Sequence, residues 1–257
     1  MILLPISCYI ITKNESRKIK KVIESVSGLV NEIIIIDSGS TDKTLSIAKT
    51  LGAKVMFNKW DGYGKQKRFG EKVCKNDWVL NLDGDEIVSS DLNQEIRNLF
   101  LKEKKDMHNL YLIKRQNIFP FGINPYSYSG DKVIRLYRKS VVRYPDHPTW
   151  DKIKKPKNQK TTVLNGVIYH YWMKDFEHQV SKMNKYTTSL ANFSPKKSMS
   201  SLTLRMVFGF QFDFFKAYLL RHHWLQGRYG FAVSILYAFT RFMRVIKMME
   251  KQLRKNS

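Results

Sequence analysis

Apolar positions in the first 90 residues alternate between short unbroken runs and stretches spaced three or four apart. Residues 6–12 form an apolar run of strand length. Over residues 14–26, Ile19, Val22, Ile23 and Val26 fall on one helical face. Residues 32–37 hold consecutive isoleucines and predict a strand buried on both faces, as in a parallel sheet. Ser40 or Thr41 is placed to cap a helix over 42–51, which Gly52 ends. Residues 54–57 read as a third strand, 65–74 as a helix and 77–82 as a fourth strand. This alternation predicts an α/β fold with a parallel sheet and right-handed crossovers.

Beyond residue 90 the pattern changes. Residues 91–105, rich in Glu and Lys, predict a surface helix. Strand-like runs follow at 110–113, 133–137 and 141–144, around a Pro/Gly/Asn loop at 120–130. A basic linker, 152–160, leads to another strand at 163–170, and the rest is helical and aromatic-rich. There is no internal repeat and no low-complexity tract. The expected division is an α/β domain over 1–175, its halves meeting near residue 90, and a helical extension over 176–257.

Composition adds a constraint. The 257 residues are 43% apolar and 13% aromatic, enough for a real core, which excludes a disordered chain, a collagen-like repeat and a disulfide-stapled miniprotein. Cys8 and Cys74 form neither a metal-ligand pattern nor a framework, so a reducing compartment is expected. The N-terminus lacks a basic segment before its apolar run and reads as a first strand without a signal peptide. Lys and Arg total 45 against 22 Asp and Glu, a net charge of +23. Residues 151–257 hold only 5 of those acids against 20 bases. Such a half wants an anionic partner: nucleic acid, a membrane face or phosphorylated ligands.

The candidate chemistry lies at strand ends, where ligands of open α/β sheets bind. After the fourth strand comes Leu82-Asp83-Gly84-Asp85-Glu86. Asp83 and Asp85, two apart around a glycine, can converge on one hard divalent cation that takes phosphate oxygens as further ligands. A solvated acidic turn is the plainer alternative. After the isoleucine strand comes Asp37-Ser38-Gly39-Ser40-Thr41-Asp42, where Asp37 can accept hydrogen bonds from a base or ribose, or simply close a turn. After the first strand comes Thr12-Lys13-Asn14-Glu15. Three such turns on one sheet edge point to a nucleotide pocket. Neither GxGxxG nor a P-loop is present.

Taken together, ISCYIITKNE, EIIIIDSGSTDKTLSIAKTLGAKV and WDGYGKQKRFGEKVCKNDWVLNLDGDE resemble glycosyltransferase family 2. More narrowly they resemble its lipopolysaccharide and lipooligosaccharide core glucosyltransferases. The likeness continues more loosely through GDKVIRLYRK, YHYW and RHHWLQGRYGFAV. It implies a GT-A fold, a mostly parallel Rossmann-like sheet flanked by helices. It also implies a UDP-sugar donor, Mg²⁺ or Mn²⁺, and inversion at the anomeric carbon. By the same likeness residues 1–90 bind the nucleotide-sugar and 91–175 the acceptor. Glu15 and Asp37 would contact the uridine, Thr12, Asn14 and Ser38 would join them in binding the nucleotide-sugar, and Lys67 would lie near the nucleotide. Asp83 and Asp85 would hold ribose and metal-diphosphate, with Asp85 the more direct ligand; His170 of YHYW is a third metal candidate, or a core histidine. The general base falls to Asp151, with Asp146 second, and Trp150 stands where the family usually has His. Trp150 either stacks on a sugar or plugs the core. Asp131 is a candidate for the acceptor, and Arg135 or Arg138 for a phosphate, unless these arginines sit on a solvated strand face.

In the last third, residues 206–220 and 229–246 are aromatic-aliphatic but interrupted by charges, which argues against a spanning helix. Their interspersed Lys and Arg suit helices in the interface of an anionic bilayer, on the inner face of the cytoplasmic membrane, or helices packed on the sheet with solvated charges. The expected acceptor is a lipopolysaccharide core or related glycolipid. A basic nucleic-acid-binding protein is the rival, disfavoured by acidic turns that would repel a phosphate backbone; no nucleic-acid partner is expected. The other alternative is a GT-A transferase with another donor and a non-lipid glycan acceptor.

Overall fold

The computed structural model describes residues 2–101, 107–118, 131–148 and 150–256. They form two compact units, residues 2–116 with 131–170 and residues 117–118 with 171–256. The first unit is a mixed sheet. Strands β1 (Leu4–Thr12), β2 (Val30–Asp37), β3 (Lys54–Phe57) and β4 (Trp78–Asp83) run parallel, connected by α1 (Ile19–Ser27), α2 (Thr44–Thr50) and α3 (Tyr63–Val73). Then come β5 (Glu86–Val88), α4 (Ser90–Phe100), β6 (Leu110–Asn117), β7 (Lys132–Arg138) and β8 (Thr162–His170). The sheet order is β3-β2-β1-β4-β7-β6-β8-β5, and β7 joins β4 antiparallel. The α/β architecture of the GT-A type is thus present, its first half parallel and its second half largely antiparallel.

Strand alternation sends successive residues to two cores. Ile6, Cys8, Ile10 and Ile35 pack with Val22 and Ile23 of α1 and Ile96 of α4. Tyr9, Ile11, Ile34 and Ile36 pack on the other face with Val79, Tyr137 and Tyr144. The register pairs Thr12 with Asp37 and Ile11 with Asp83, so the carboxyl ends of β1, β2 and β4 lie side by side.

Several expectations need correction. The helix expected from residue 14 begins at Ile19, because Asn14 takes a left-handed conformation (φ 57°) in the turn before it. Neither Ser40 nor Thr41 caps α2. Its N-cap is Lys43, with no side-chain cap, and Asp42 in the preceding turn accepts the Thr44 backbone N–H on Oδ1 at 2.9 Å. Gly52, at φ 77°, ends the turn after α2 as expected. The helix expected over 91–105 stops at Phe100, with residues 102–106 outside the described set, as is the loop at 120–130. Residues 141–144 form no strand. Val142 and Tyr144 alternate inward because this segment is a buried loop, fixed by the Tyr144 N–H on Glu71 Oε1 at 2.9 Å.

The second unit is helical, as its patterning predicts. Helices α5 (Phe176–Phe193) and α6 (Met199–Phe215) are N-capped by Asp175 and Ser198. A π-helical turn (Lys216–Leu220), a 3₁₀ turn (His223–Gln226) and α7 (Gly227–Asn256) follow. Ala191, Leu202, Val245 and Met248 form their shared core. By length and composition α7 does reach what a membrane-crossing helix requires, against the expectation drawn from its arginines.

Candidate active site

The β1 and β2 termini build a polar floor. Thr12 is buried, its carbonyl accepts both the Ser38 N–H and hydroxyl, and its own Oγ1 has no hydrogen-bond partner. Asn14 Oδ1 accepts the Thr41 N–H at 2.8 Å, and Glu15 is tied through its N–H to Thr44 Oγ1. Asp37 is buried and committed to its own turn, accepting from Gly39 N–H, Ser40 N–H and Ser40 Oγ at 2.5–2.9 Å. A Cβ on Gly84 would stand 2.9 Å from Thr12 Oγ1 and 3.0 Å from Glu15 Cγ. Gly84 therefore lets the acidic turn after β4 close over Thr12 and Glu15.

Asp83 stands between two buried cations. Lys67 Nζ lies 3.3 Å from its Oδ1, and Arg135 Nη2 donates to its Oδ2 at 2.9 Å. Burial alone would raise the Asp83 pKa, but Arg135, Lys67 and Arg115 hold it well below the usual carboxylate range. Lys67 is 1% exposed, yet Asp83 and Asp151 (3.6 Å) keep its pKa above normal, against burial and the charge of Arg135. Arg135 also donates to Glu86 Oε1 at 2.5 Å, to Tyr144 Oη at 3.2 Å and to Asn81 Oδ1. Arg115 bridges Glu86 and Asp131, and Lys152 adds a second cation to Asp131, whose pKa falls to about 2 despite burial.

Next to this cluster, His170 Nε2 lies 3.6 Å from Asp85 Oδ1. Burial outweighs the nearby carboxylates and lowers the His170 pKa, which favours the neutral imidazole that a metal needs. One carboxylate oxygen and one imidazole nitrogen are a donor set that Mn²⁺ or Mg²⁺ accepts when phosphate oxygens and waters complete the shell. Among the described residues no group of three or more His, Cys, Asp or Glu is arranged to hold a metal unaided. The residues therefore fit a cation that arrives with a phosphorylated ligand. Asp83, expected to share it, has its oxygens facing Lys67 and Arg135.

The base candidates sit on the loop after β7, and two glycines hold that loop. A Cβ on Gly62 would lie 2.1 Å from the Pro148 carbonyl oxygen. One on Gly64 would lie 2.3–2.6 Å from the carbonyl oxygens of His147, Trp150 and Pro145. The start of α3 thus packs backbone to backbone on the loop, and the Tyr63 N–H donates to the Pro148 carbonyl at 3.0 Å. This brings Asp151 to Lys67. Asp146 instead lines a separate basic groove with Lys59, Trp60, Arg68 and Arg143. Trp150 is 57% exposed, so it does not plug the core. Asp83, Asp151 and Asp85 together help burial raise the Tyr63 hydroxyl to about 12.

Arg135 is not on a solvated strand face; it is 2% exposed, whereas Arg138 is a surface residue paired with Asp77. Asn81, Glu86, Arg115 and Tyr144 were not singled out in the sequence. The one signal available for Arg135 was an arginine inside the apolar run VIRLY, where a solvated position would put it next to buried neighbours.

A mixed sheet with parallel N-terminal strands and acidic turns at three of their ends gives the first unit a GT-A fold. The chain belongs to glycosyl transferase family 2, whose model matches residues 7–173. It is similar to an uncharacterized glycosyltransferase of Rickettsia bellii, 37% identical over 98% of this chain and 88% of that one. It is also similar to the lipopolysaccharide core biosynthesis glycosyltransferase LpsC of Rhizobium meliloti, 26% identical over 96% and 93%. Among solved structures, S. aureus TarS 1–349 in complex with UDP-GlcNAc superposes with a TM-score of 0.51 at 15% identity, covering 99% of this chain and 93% of that one.

Proposed function

We propose that this glycosyltransferase moves a hexose, glucose by its family resemblance, from a UDP-sugar to a lipopolysaccharide core or related glycolipid, with inversion. The observation that carries the reading is the cluster at the end of β4: Asp83 fixed by Lys67 and Arg135, beside Asp85 and His170. The likeness to LpsC over nearly the whole chain supports the acceptor class.

In this reading Thr12, Asn14, Glu15, Asp37 and Ser38 bind the nucleoside, the unpartnered Thr12 hydroxyl supplying a free hydrogen-bonding group. Lys67 offers positive charge to the diphosphate, and Asp83 orients Lys67. Asp151 accepts the proton of the acceptor hydroxyl as its oxygen bonds to the anomeric carbon and the bond to the diphosphate breaks. Asp85 and His170 would hold a divalent cation, which supplies Lewis-acid charge to the departing diphosphate. Asp146 serves only as the lesser candidate for the base, since it lines a different groove.

The test is turnover of UDP-sugars with Mn²⁺, after a thermal-shift panel of UDP-glucose, UDP-galactose, UDP-N-acetylglucosamine and a nucleotide-heptose. A bound donor stabilises by mass action. Asp151→Asn is expected to lower kcat about 10²–10⁴-fold with donor stabilisation intact, and Asp146→Asn to leave kcat near wild type. Unchanged turnover in Asp85→Ala would remove the assignment of the metal site.

A further inference from the structure

The second unit exposes an apolar stripe that its own fold leaves uncovered. Leu204, Phe208, Phe212, Phe215 and Leu219 recur every three or four residues along α6 and the π-helical turn, on one face, and each is between 51% and 66% exposed. Leu220, Trp224 and Leu225 extend it through the following turn, also exposed. The opposite face of α6 is satisfied by Leu202 in the core and Asp213 on Arg241. A stripe this long on a water-facing helix marks a contact surface.

The charge around it selects the occupant. From Met199 to Asn256 the carboxylates are Asp213, buried and paired with Arg241, and Glu250, paired with Arg254. Arg205, Arg221 and Arg228 are exposed in the same stretch. Aromatic and aliphatic side chains bordered by cations, with no free carboxylate, complement an anionic lipid surface. We infer that the outer face of α6 and the turn after it lie in the head-group plane of an anionic bilayer, the stripe inserted and the cations on phosphates. The helices lie on that surface and do not cross it. Arg241 is bonded to Asp213, and Lys247 Nζ donates to Asn184, Thr187 and Thr188 of α5 at 2.7–2.9 Å, polar ties that fasten α7 to its neighbours. Placing that bilayer at the cytoplasmic face of the cytoplasmic membrane rests on the proposed UDP-sugar reaction; the lipid contact itself does not.

The full-length protein is sedimented with vesicles of phosphatidylcholine, with and without phosphatidylglycerol, at low and high salt. Binding is expected with phosphatidylglycerol and weakened by salt. Phe208→Asp with Phe212→Asp is expected to lower the partition coefficient roughly a hundredfold, with circular dichroism and donor thermal shift unchanged. Arg205→Glu with Arg221→Glu is a second variant that keeps the stripe and is expected to abolish the preference for anionic vesicles. No binding to anionic vesicles overturns the inference, as does binding indifferent to the Phe pair. A dimer broken by the Phe pair without vesicle binding makes the stripe an interface between copies and likewise overturns it. Protein that resists alkaline carbonate extraction from cell membranes overturns the in-plane placement. Loss of sugar transfer with vesicle binding intact would count against the enzymatic reading alone.

Discussion

Arg135, 2% exposed, shares its guanidinium among Asp83, Glu86, Asn81 and Tyr144, and its bonds to the last three are buried from water. Truncating it leaves Asp83 with Lys67 and Glu86 with Arg115 as their remaining cations, and losing one partner of a buried ion cluster costs about 3–5 kcal/mol. Arg135→Met is therefore expected to lower the urea midpoint strongly. Arg135→Lys keeps the charge but not the fork, so it should fold while the donor-induced thermal shift shrinks. Glu71 shows the opposite logic. Burial raises its pKa above 4.5 although Tyr144 N–H and Tyr137 Oη hydrogen-bond to it, and its Oε2 has no hydrogen bond. A carboxyl raised in the fold contributes most below its unfolded pKa and loses that contribution as pH rises through the folded value. The stability of wild type relative to Glu71→Gln is thus expected to fall as pH climbs above about 4.5, measured as paired denaturant titrations across pH. A variant gap independent of pH would refute the assignment.

At the scale of elements, α3 and the loop after β7 form one piece because Gly62 and Gly64 let their backbones touch. Gly64→Ala would push a Cβ into three carbonyl oxygens, and overpacking of this kind costs about 1–3 kcal/mol. The expected result is a lower Tm and a kcat loss resembling that of Asp151→Asn, with donor binding less affected; wild-type kcat would show that the loop does not position the base. The elements themselves were legible where one physical signal dominated. Unbroken apolar runs located β1, β2, β3 and β4 within a few residues, and a helical stripe at Ile19, Val22, Ile23 and Val26 located α1 apart from its start. The segment 141–144 misled because alternate burial arises equally from a strand and from a loop pinned by Glu71. Likewise, neither Ser40 nor Thr41 caps α2, because Ser40 bonds Asp37, Thr41 bonds Asn14, and the helix starts beyond both, after Lys43.

Across the whole molecule, the candidate site was legible as a set of strand-end acids but not as a circuit. Lys67, Asp83 and Asp151 lie far apart in sequence, and Arg135 reads as a surface residue until β7 is seen to join β4. The second unit is expected to weaken in acid. His223 in the second unit is 4% exposed and bonded to Ser234 Oγ at 3.0 Å; burial and Arg221 lower its pKa from 6.5 to about 4. A histidine depressed in the fold contributes fully above its unfolded pKa and loses that contribution as pH falls toward the folded value. Between pH 6.5 and 4 this unit should lose up to about 3 kcal/mol; His170, depressed in the same direction by burial, makes the first unit lose stability as pH falls below 6.5 as well. Hydrogen exchange across that range should show the start of α7, which packs on His223, loosening, and His223→Gln should remove the pH dependence of that change.

The backbone contact between α3 and the loop after β7 has a kinetic corollary. One helix carries Lys67, which faces the donor phosphates in the proposed reaction, and also props the loop bearing Asp151. In the proposed reaction a bound donor would draw Lys67 to its phosphates and release Asp151 from its 3.6 Å ion pair. On that reading Asp151 would become available as the base only after the donor has bound. Sugar transfer should then follow a compulsory order, donor before acceptor, with free UDP competing against the donor alone.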